Sequence, residues 1–166
     1  MGNYNFTKDL PLGQKGERII QIDLERLGGE VVTYNETNAY DLMMQMPVRG
    51  EDRLEVVTYE VKTDVFCKPH NDTANLFIEF ECRGNASGIA VTKANWFVTY
   101  YPYLFEAWYI KVDELKSIIS DNDFKVAEGS GDAFSNTKGY LIPRYQYKTF
   151  FKVRKIPKAW LKTHFE

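Results

Sequence analysis

The chain has 166 residues, with 21 lysines and arginines against 23 aspartates and glutamates and a formal net charge of −2 at pH 7. That length holds one substantial core and leaves no room for a second full-sized domain, so a single domain over 1–166 is expected. No apolar run approaches the roughly 18 residues of a membrane helix and the amino terminus is unlike a signal peptide, so a cytoplasmic protein with no membrane partner is expected.

The first periodic segment spans about 14–28, where Ile20, Leu24 and Leu27 mark one face of a helix and Glu17 falls on that same face at the preceding turn. A glutamate on the buried side needs a reason, and a first-turn position favoured by the helix dipole is one. A strand at 31–35 follows, then a hairpin, 38–46 and 54–65. In it, apolar Leu42, Met43, Met44 and Met46 precede a turn-like stretch from Pro47 to Arg53, and the β-branched run Val56, Val57, Thr58 comes after. Further on, the pattern gives a loop at 67–73, a strand at 75–82, a turn at 83–88, and strands at 89–92 and 96–101. A turn at Pro102–Leu104 leads into a strand at 105–111, and 112–120 has helical spacing with Asp113 as its cap. Helix, then sheet, then helix fits an α/β sandwich.

Within the hairpin, Tyr59 to Asp64 read Y-E-V-K-T-D. Strand side chains alternate, so Glu60 and Lys62 project from one face while Tyr59 and Val61 project from the other. If the hairpin folds symmetrically about Gly50 and Glu51, Asp41 lies opposite Glu60, and directly opposed residues are about 5 Å apart at Cβ. Two carboxylates that close repel unless something positive lies between them. Hard Mg²⁺ suits such oxygen ligands.

Asp41, then a gap, then Glu60-Val61-Lys62 resembles the signature of the PD-(D/E)xK nuclease superfamily. The proline usual before the first acid is absent, since Ala39 and Tyr40 precede Asp41, but that position varies within the superfamily. Many members also carry a glutamate on the first helix, and Glu17 is the match. The strand and core segments from Thr73 to Cys82 and from Ser87 to Tyr100 look like those of phage and bacterial members, so the resemblance covers roughly Gln14 to Ile119. It implies a restriction-endonuclease-like core, a mixed β-sheet flanked by helices, in the cytoplasm of a bacterium or phage-infected cell. It also implies hydrolysis of phosphodiester bonds in DNA, with Asp41, Glu60 and Lys62 as catalytic residues. Asp41, Glu60, the backbone carbonyl of Val61 and Glu17 would hold Mg²⁺, for which Mn²⁺ can substitute. Cutting both strands asks for two sites or sequential nicks, and a homodimer is therefore expected. Glu79 and Glu81 alternate with apolar residues and are explained equally well by a half-exposed strand, so they stay outside this set.

Other chemistries find no footing. Cys67 and Cys82 lack C-x-x-C spacing, His70 and His164 fit no ligand or triad pattern, and there is no glycine-rich phosphate loop, so zinc and a nucleotide cofactor are not expected.

Charge is unevenly distributed. From Lys138 onward eight basic residues face one acid, which leaves 13 basic and 22 acidic side chains to the preceding 137 residues. This region, about 138–166, is interleaved with Tyr140, Tyr145, Tyr147, Phe150, Phe151 and Trp160. Cations with aromatic faces suit nucleic acid, and Lys148, Lys152, Arg154, Lys155 and Lys158 are the expected DNA contacts; a terminal strand and short helix with solvated lysines is the plain alternative. The compact size favours a structure-selective, Holliday-junction-resolvase-like enzyme. A sequence-specific restriction or homing endonuclease is the alternative, and a non-catalytic DNA-binding protein on the same fold is a further one.

Overall fold

The computed structural model describes residues 6–32, 39–128 and 136–165, with the backbone alone for 6–11. Helix α1 (Phe6–Arg26) leads to a short strand β1 (Glu30–Val31) and then to the hairpin β2 (Leu42–Pro47) and β3 (Leu54–Thr63). Strands β4 (Asn75–Cys82), β5 (Asn85–Ala86), β6 (Trp96–Tyr101) and β7 (Glu106–Lys111) follow. Helix α2 (Val112–Asp121) separates these from β8 (Lys125–Glu128), β9 (Thr137–Pro143) and β10 (Lys152–Lys155), and the chain ends in helical turns at α3 (Lys158–Trp160) and Leu161–Phe165.

Two sheets form. The larger has the order β1-β2-β3-β6-β7-β10, and the smaller β5-β4-β9-β8. In the larger sheet β3 and β6 run parallel while the other neighbours are antiparallel, so the sheet is mixed, as expected of this α/β fold. Alternation along its strands supplies two cores. Val57, Tyr59, Val61, Val98, Tyr100 and Tyr109 pack with Ile19, Ile20 and Leu24 of α1. On the other side Phe97, Tyr101, Trp108 and Ile110 meet Leu76, Ile78 and Ile142 of the smaller sheet and Leu115 and Ile118 of α2. Each such side chain contributes roughly 1.5–3 kcal/mol by leaving water, which is why the amphipathic helices settle on the sheet.

A charge is buried under α1. Asp23 is fully inaccessible yet accepts hydrogen bonds from Arg154 Nε at 2.7 Å, Arg26 at 2.8 Å and the Tyr109 hydroxyl at 2.9 Å. With a second bond from Arg154, four hydrogen bonds from three residues replace its lost hydration and tie α1 to β7 and β10.

Several local expectations are corrected. Residues 89–92 form no strand; Gly88–Ala90 is a single 3-10 turn, because Gly88 sits at φ +52° with the Glu79 carbonyl pressed into the space a Cβ would fill. Asp113 is not the cap of α2: Lys111 holds that position, and Asp113 lies in the first turn. Leu27 is outside α1, which ends at Arg26, and is 44% exposed, so the buried face of the helix stops at Leu24. The strand expected at 31–35 is reduced to β1 among the described residues, and 33–35 lie outside them.

Candidate active site

The β2–β3 hairpin pairs from Pro47↔Leu54 to Leu42↔Tyr59. One step further the Asp41 amide donates to the Tyr59 carbonyl at 2.9 Å, which continues the register and brings Asp41 beside Glu60. The turn that sets this count closes with the Val48 amide on the Arg53 carbonyl at 3.0 Å. Asp41 Oδ2 then accepts the Val61 N–H at 2.7 Å, so the first acid is oriented by the backbone of the strand carrying the second.

Glu60 is held from two sides. Its Oε1 lies 2.8 Å from Lys62 Nζ, the same-face neighbour that strand alternation dictates, and its Oε2 accepts from Thr92 Oγ1 at 3.2 Å. Thr92 follows the Gly88–Ala90 turn, so the feature that displaced the expected strand also supplies a buried partner for the acid. Motif reasoning passes over Thr92, since a threonine next to a turn carries no signal of its own.

Glu17 reaches the same place from α1. Burial first, then Asp41 and Glu60, push its carboxyl up to about 7 against the opposing pull of Lys62. The carboxyl of Asp41 is likewise raised, by burial and then by Glu60, although the Val61 amide and Lys62 counteract part of this. Glu79 on β4 joins the group: burial raises its carboxyl, Lys62 lowers it, and Glu60 raises it again. Its alternation in F-I-E-F-E-C was the available signal, and only the placement of the smaller sheet turns that alternation toward Lys62. Partial burial lowers the Lys62 ammonium, but Glu60, with Asp41 and Glu79, outweighs this and holds it above its ordinary value.

Four acids thus crowd around one lysine, an arrangement short of positive charge. Among the described residues no three His, Cys, Asp or Glu side chains converge as a ready-made ion cage. Mg²⁺ does not require one: it binds through one or two carboxylates while keeping waters and taking substrate phosphate oxygens. Asp41, Glu60 and the Val61 carbonyl are oxygen donors of that kind, and Glu17 is coupled to both acids. The donor set fits the ion.

The basic carboxy-terminal side chains are less uniform than their spacing indicates. Arg154 makes a two-pronged pair with buried Asp23, Nε to Oδ2 at 2.7 Å and an Nη to Oδ1 at 3.0 Å, which takes it out of the expected phosphate contacts. Lys155 pairs with Glu106 at 2.6 Å but is 80% exposed, while Lys152 lies 5.1 Å from the Trp96 ring centroid and Lys158 5.7 Å from that of Phe105. Lys148 is exposed. The aromatics mostly pack inward, Phe151 on Trp108 and Tyr140 on Phe80, and Tyr145 and Phe150 are exposed.

No family model matches the chain, and no curated protein matches it either. Among solved structures it is similar to a bacterial homing endonuclease, I-Ssp6803I, at 16% identity and a TM-score of 0.46, over 64% of this chain and 70% of that one. No helix among the described residues is long and apolar enough to cross a membrane.

Proposed function

We propose that the chain is a metal-dependent DNA endonuclease acting through Asp41, Glu60 and Lys62. The observation that carries this reading is that Asp41 and Glu60 stand side by side on paired strands at the end of the hairpin, Glu60 ion-paired to Lys62, with Glu17 of α1 electrostatically coupled to all three. Asp41, Glu60 and the Val61 carbonyl would hold Mg²⁺ or Mn²⁺, with Glu17 completing the donor set. When bound, the ion offsets charge on a scissile phosphate and brings a water's pKa toward neutrality. Lys62 is an ammonium among these carboxylates, so it donates to a water or phosphate oxygen and counters developing charge rather than taking up a proton. Thr92 keeps Glu60 turned toward the site. Lys148, Lys152 and Lys158 are the proposed phosphate contacts, and a homodimer would supply two sites for two strands.

The junction-selective and sequence-specific readings share this chemistry. The structural neighbour is a homing endonuclease, at a likeness too low to choose between them. The test is cleavage of plasmid DNA with Mg²⁺ or Mn²⁺ and with EDTA, by the wild type and by Asp41→Asn, Glu60→Gln and Lys62→Ala. Cutting that needs the ion and vanishes in all three folded variants is expected. Full activity in any of them removes the site, and tight DNA binding with no cutting under any ion favours the non-catalytic binding protein.

A further inference from the structure

Beside Lys62, between the two sheets, lies a cleft of about 420 Å³, lined by Lys62 and Thr99 of the larger sheet, Phe77 and Leu141 of the smaller one, and Phe66 of the β3–β4 connection. Its walls are mainly apolar, unlike the carboxylate cluster it adjoins.

Phe66 is the unusual element. It is 69% exposed, the most of any large apolar side chain among the described residues. The loop presenting it is nevertheless built: Asp64 Oδ1 accepts the Phe66 amide at 2.8 Å and the Cys67 amide at 3.2 Å, and Cys67 is buried at 1% exposure. The backbone on both sides of Phe66 is therefore fixed while the ring is left in water, where it gains nothing for folding.

Charge decides what the ring awaits. Among the described residues, Asp64, Glu79 and Glu128 border the cleft against one cation, Lys62, so a phosphate would be repelled from it, whereas an uncharged planar group would not. In a DNA strand whose phosphate lies at Lys62, the next group of that description is the adjoining base. We propose that the cleft receives the nucleobase next to the cleaved phosphate, extruded from the stack and lying on the Phe66 ring, with the Thr99 and Thr137 hydroxyls at its edge. This rests on the endonuclease reading for the position of the phosphate. Unstacking is least costly for a mispaired or unpaired base, so DNA carrying one at the cut is the preferred substrate.

The experiment uses full-length wild type, Phe66→Ala and Phe66→Leu, the last keeping an apolar side chain without an aromatic face. An exposed position makes all three expected to fold. The probes are oligonucleotide duplexes carrying iodouracil, either paired with adenine or mispaired with guanine, bound in Ca²⁺ and irradiated, with the crosslinked peptide identified by mass spectrometry. The expected result is a crosslink at Phe66 that is stronger for the mispaired base, and mispaired-duplex affinity lowered roughly ten- to hundred-fold in both variants, with fully paired duplex affected less. Crosslinks that avoid Phe66, with unchanged affinities in both variants, overturn the proposal. Mg²⁺-dependent cleavage by the wild type is scored alongside. Cutting without a Phe66 effect leaves the endonuclease standing and removes the base site. A Phe66 crosslink without cutting under any ion keeps a base-binding cleft and removes the endonuclease, and absence of both removes both.

Discussion

Gly16 of α1 rests directly on Thr63 at the end of β3: a Cβ at position 16 would overlap Thr63 Oγ1 and lie 3.0 Å from the Thr63 Cβ. This packing sets the approach of the helix to the strand one residue before Glu17, and so fixes how near Glu17 comes to Asp41 and Lys62. Gly16→Ala is expected to destabilise the fold by about 1–3 kcal/mol through overpacking, although alanine is the better helix former. Because the helix must shift at Glu17, cleavage should fall further than stability accounts for. Urea midpoints and cleavage rates, measured where both proteins are fully folded, check this. Unchanged values for both would mean the helix position is not tightly set.

Glu17 gives a pH signature in the metal-free protein. Its folded-state carboxyl is raised from 4.5 to about 7, so its contribution favours the folded state below about pH 4.5 and is lost as pH rises through about 7. Relative to wild type, Glu17→Gln should therefore gain thermal stability between those limits and keep the gain at pH 8. Mg²⁺ should reverse the order, stabilising the wild type more than the variant. Thermal melts across pH with EDTA or Mg²⁺ measure both effects. Parallel curves at every pH would show that Glu17 is not crowded by the other acids.

Arg154 and its basic neighbours should separate cleanly. Arg154→Ala withdraws the two-pronged partner of buried Asp23, and the remaining bonds from Arg26 and Tyr109 place the cost at the lower end of about 3–5 kcal/mol. Neutralising Lys148, Lys152 and Lys158 together should leave stability nearly untouched and flatten the salt dependence of DNA binding, by about 0.9 in log–log slope for each phosphate that is no longer neutralised. Denaturation and salt titration of each protein distinguish the two. A stable Arg154→Ala protein with a reduced salt slope would return Arg154 to the DNA surface.

Much of the site was legible in the chain, and the reasons are physical. Asp41 beside Glu60 followed from counting outward from the turn, because hairpin register is fixed by the turn and strand alternation is strict. Helical spacing put Glu17 on the face of Ile20 and Leu24 but in a first turn near residue 14; α1 begins at Phe6, so Glu17 lies mid-helix and the helix dipole is not its reason. The role of Arg154 was not legible, since Asp23 lies 131 positions away and nothing local marks the two as partners. Glu79 was visible only as an acid in an alternating strand, and its direction depends on pairing with β9, a partner distant in sequence. Gly88 looked like part of a turn before a strand, and the backbone of Glu79 pressing on it is a tertiary fact.

An enzyme selective for branched DNA recognises backbone shape through phosphates, whereas a sequence reader places groups on base edges, and each wrong base then costs about 1–3 kcal/mol. The basic surface is thinner than the chain's count indicates, with Arg154 turned inward and Lys155 paired to Glu106. The cleft beside Lys62, in contrast, is the proposed seat of a base on the exposed Phe66 ring. Both features shift the expectation from junction shape toward base identity. A four-way junction, its linear arms and a random-sequence plasmid library, each cut with Mg²⁺ and mapped, should show recurring positions in linear duplex that share a base preference next to the cut. Changing that base should slow cutting roughly ten- to hundred-fold, in line with such a cost. Nicks clustered at the branch point, with linear arms untouched and no shared base, would instead establish the resolvase-like reading while leaving the roles of Asp41, Glu60 and Lys62 as proposed.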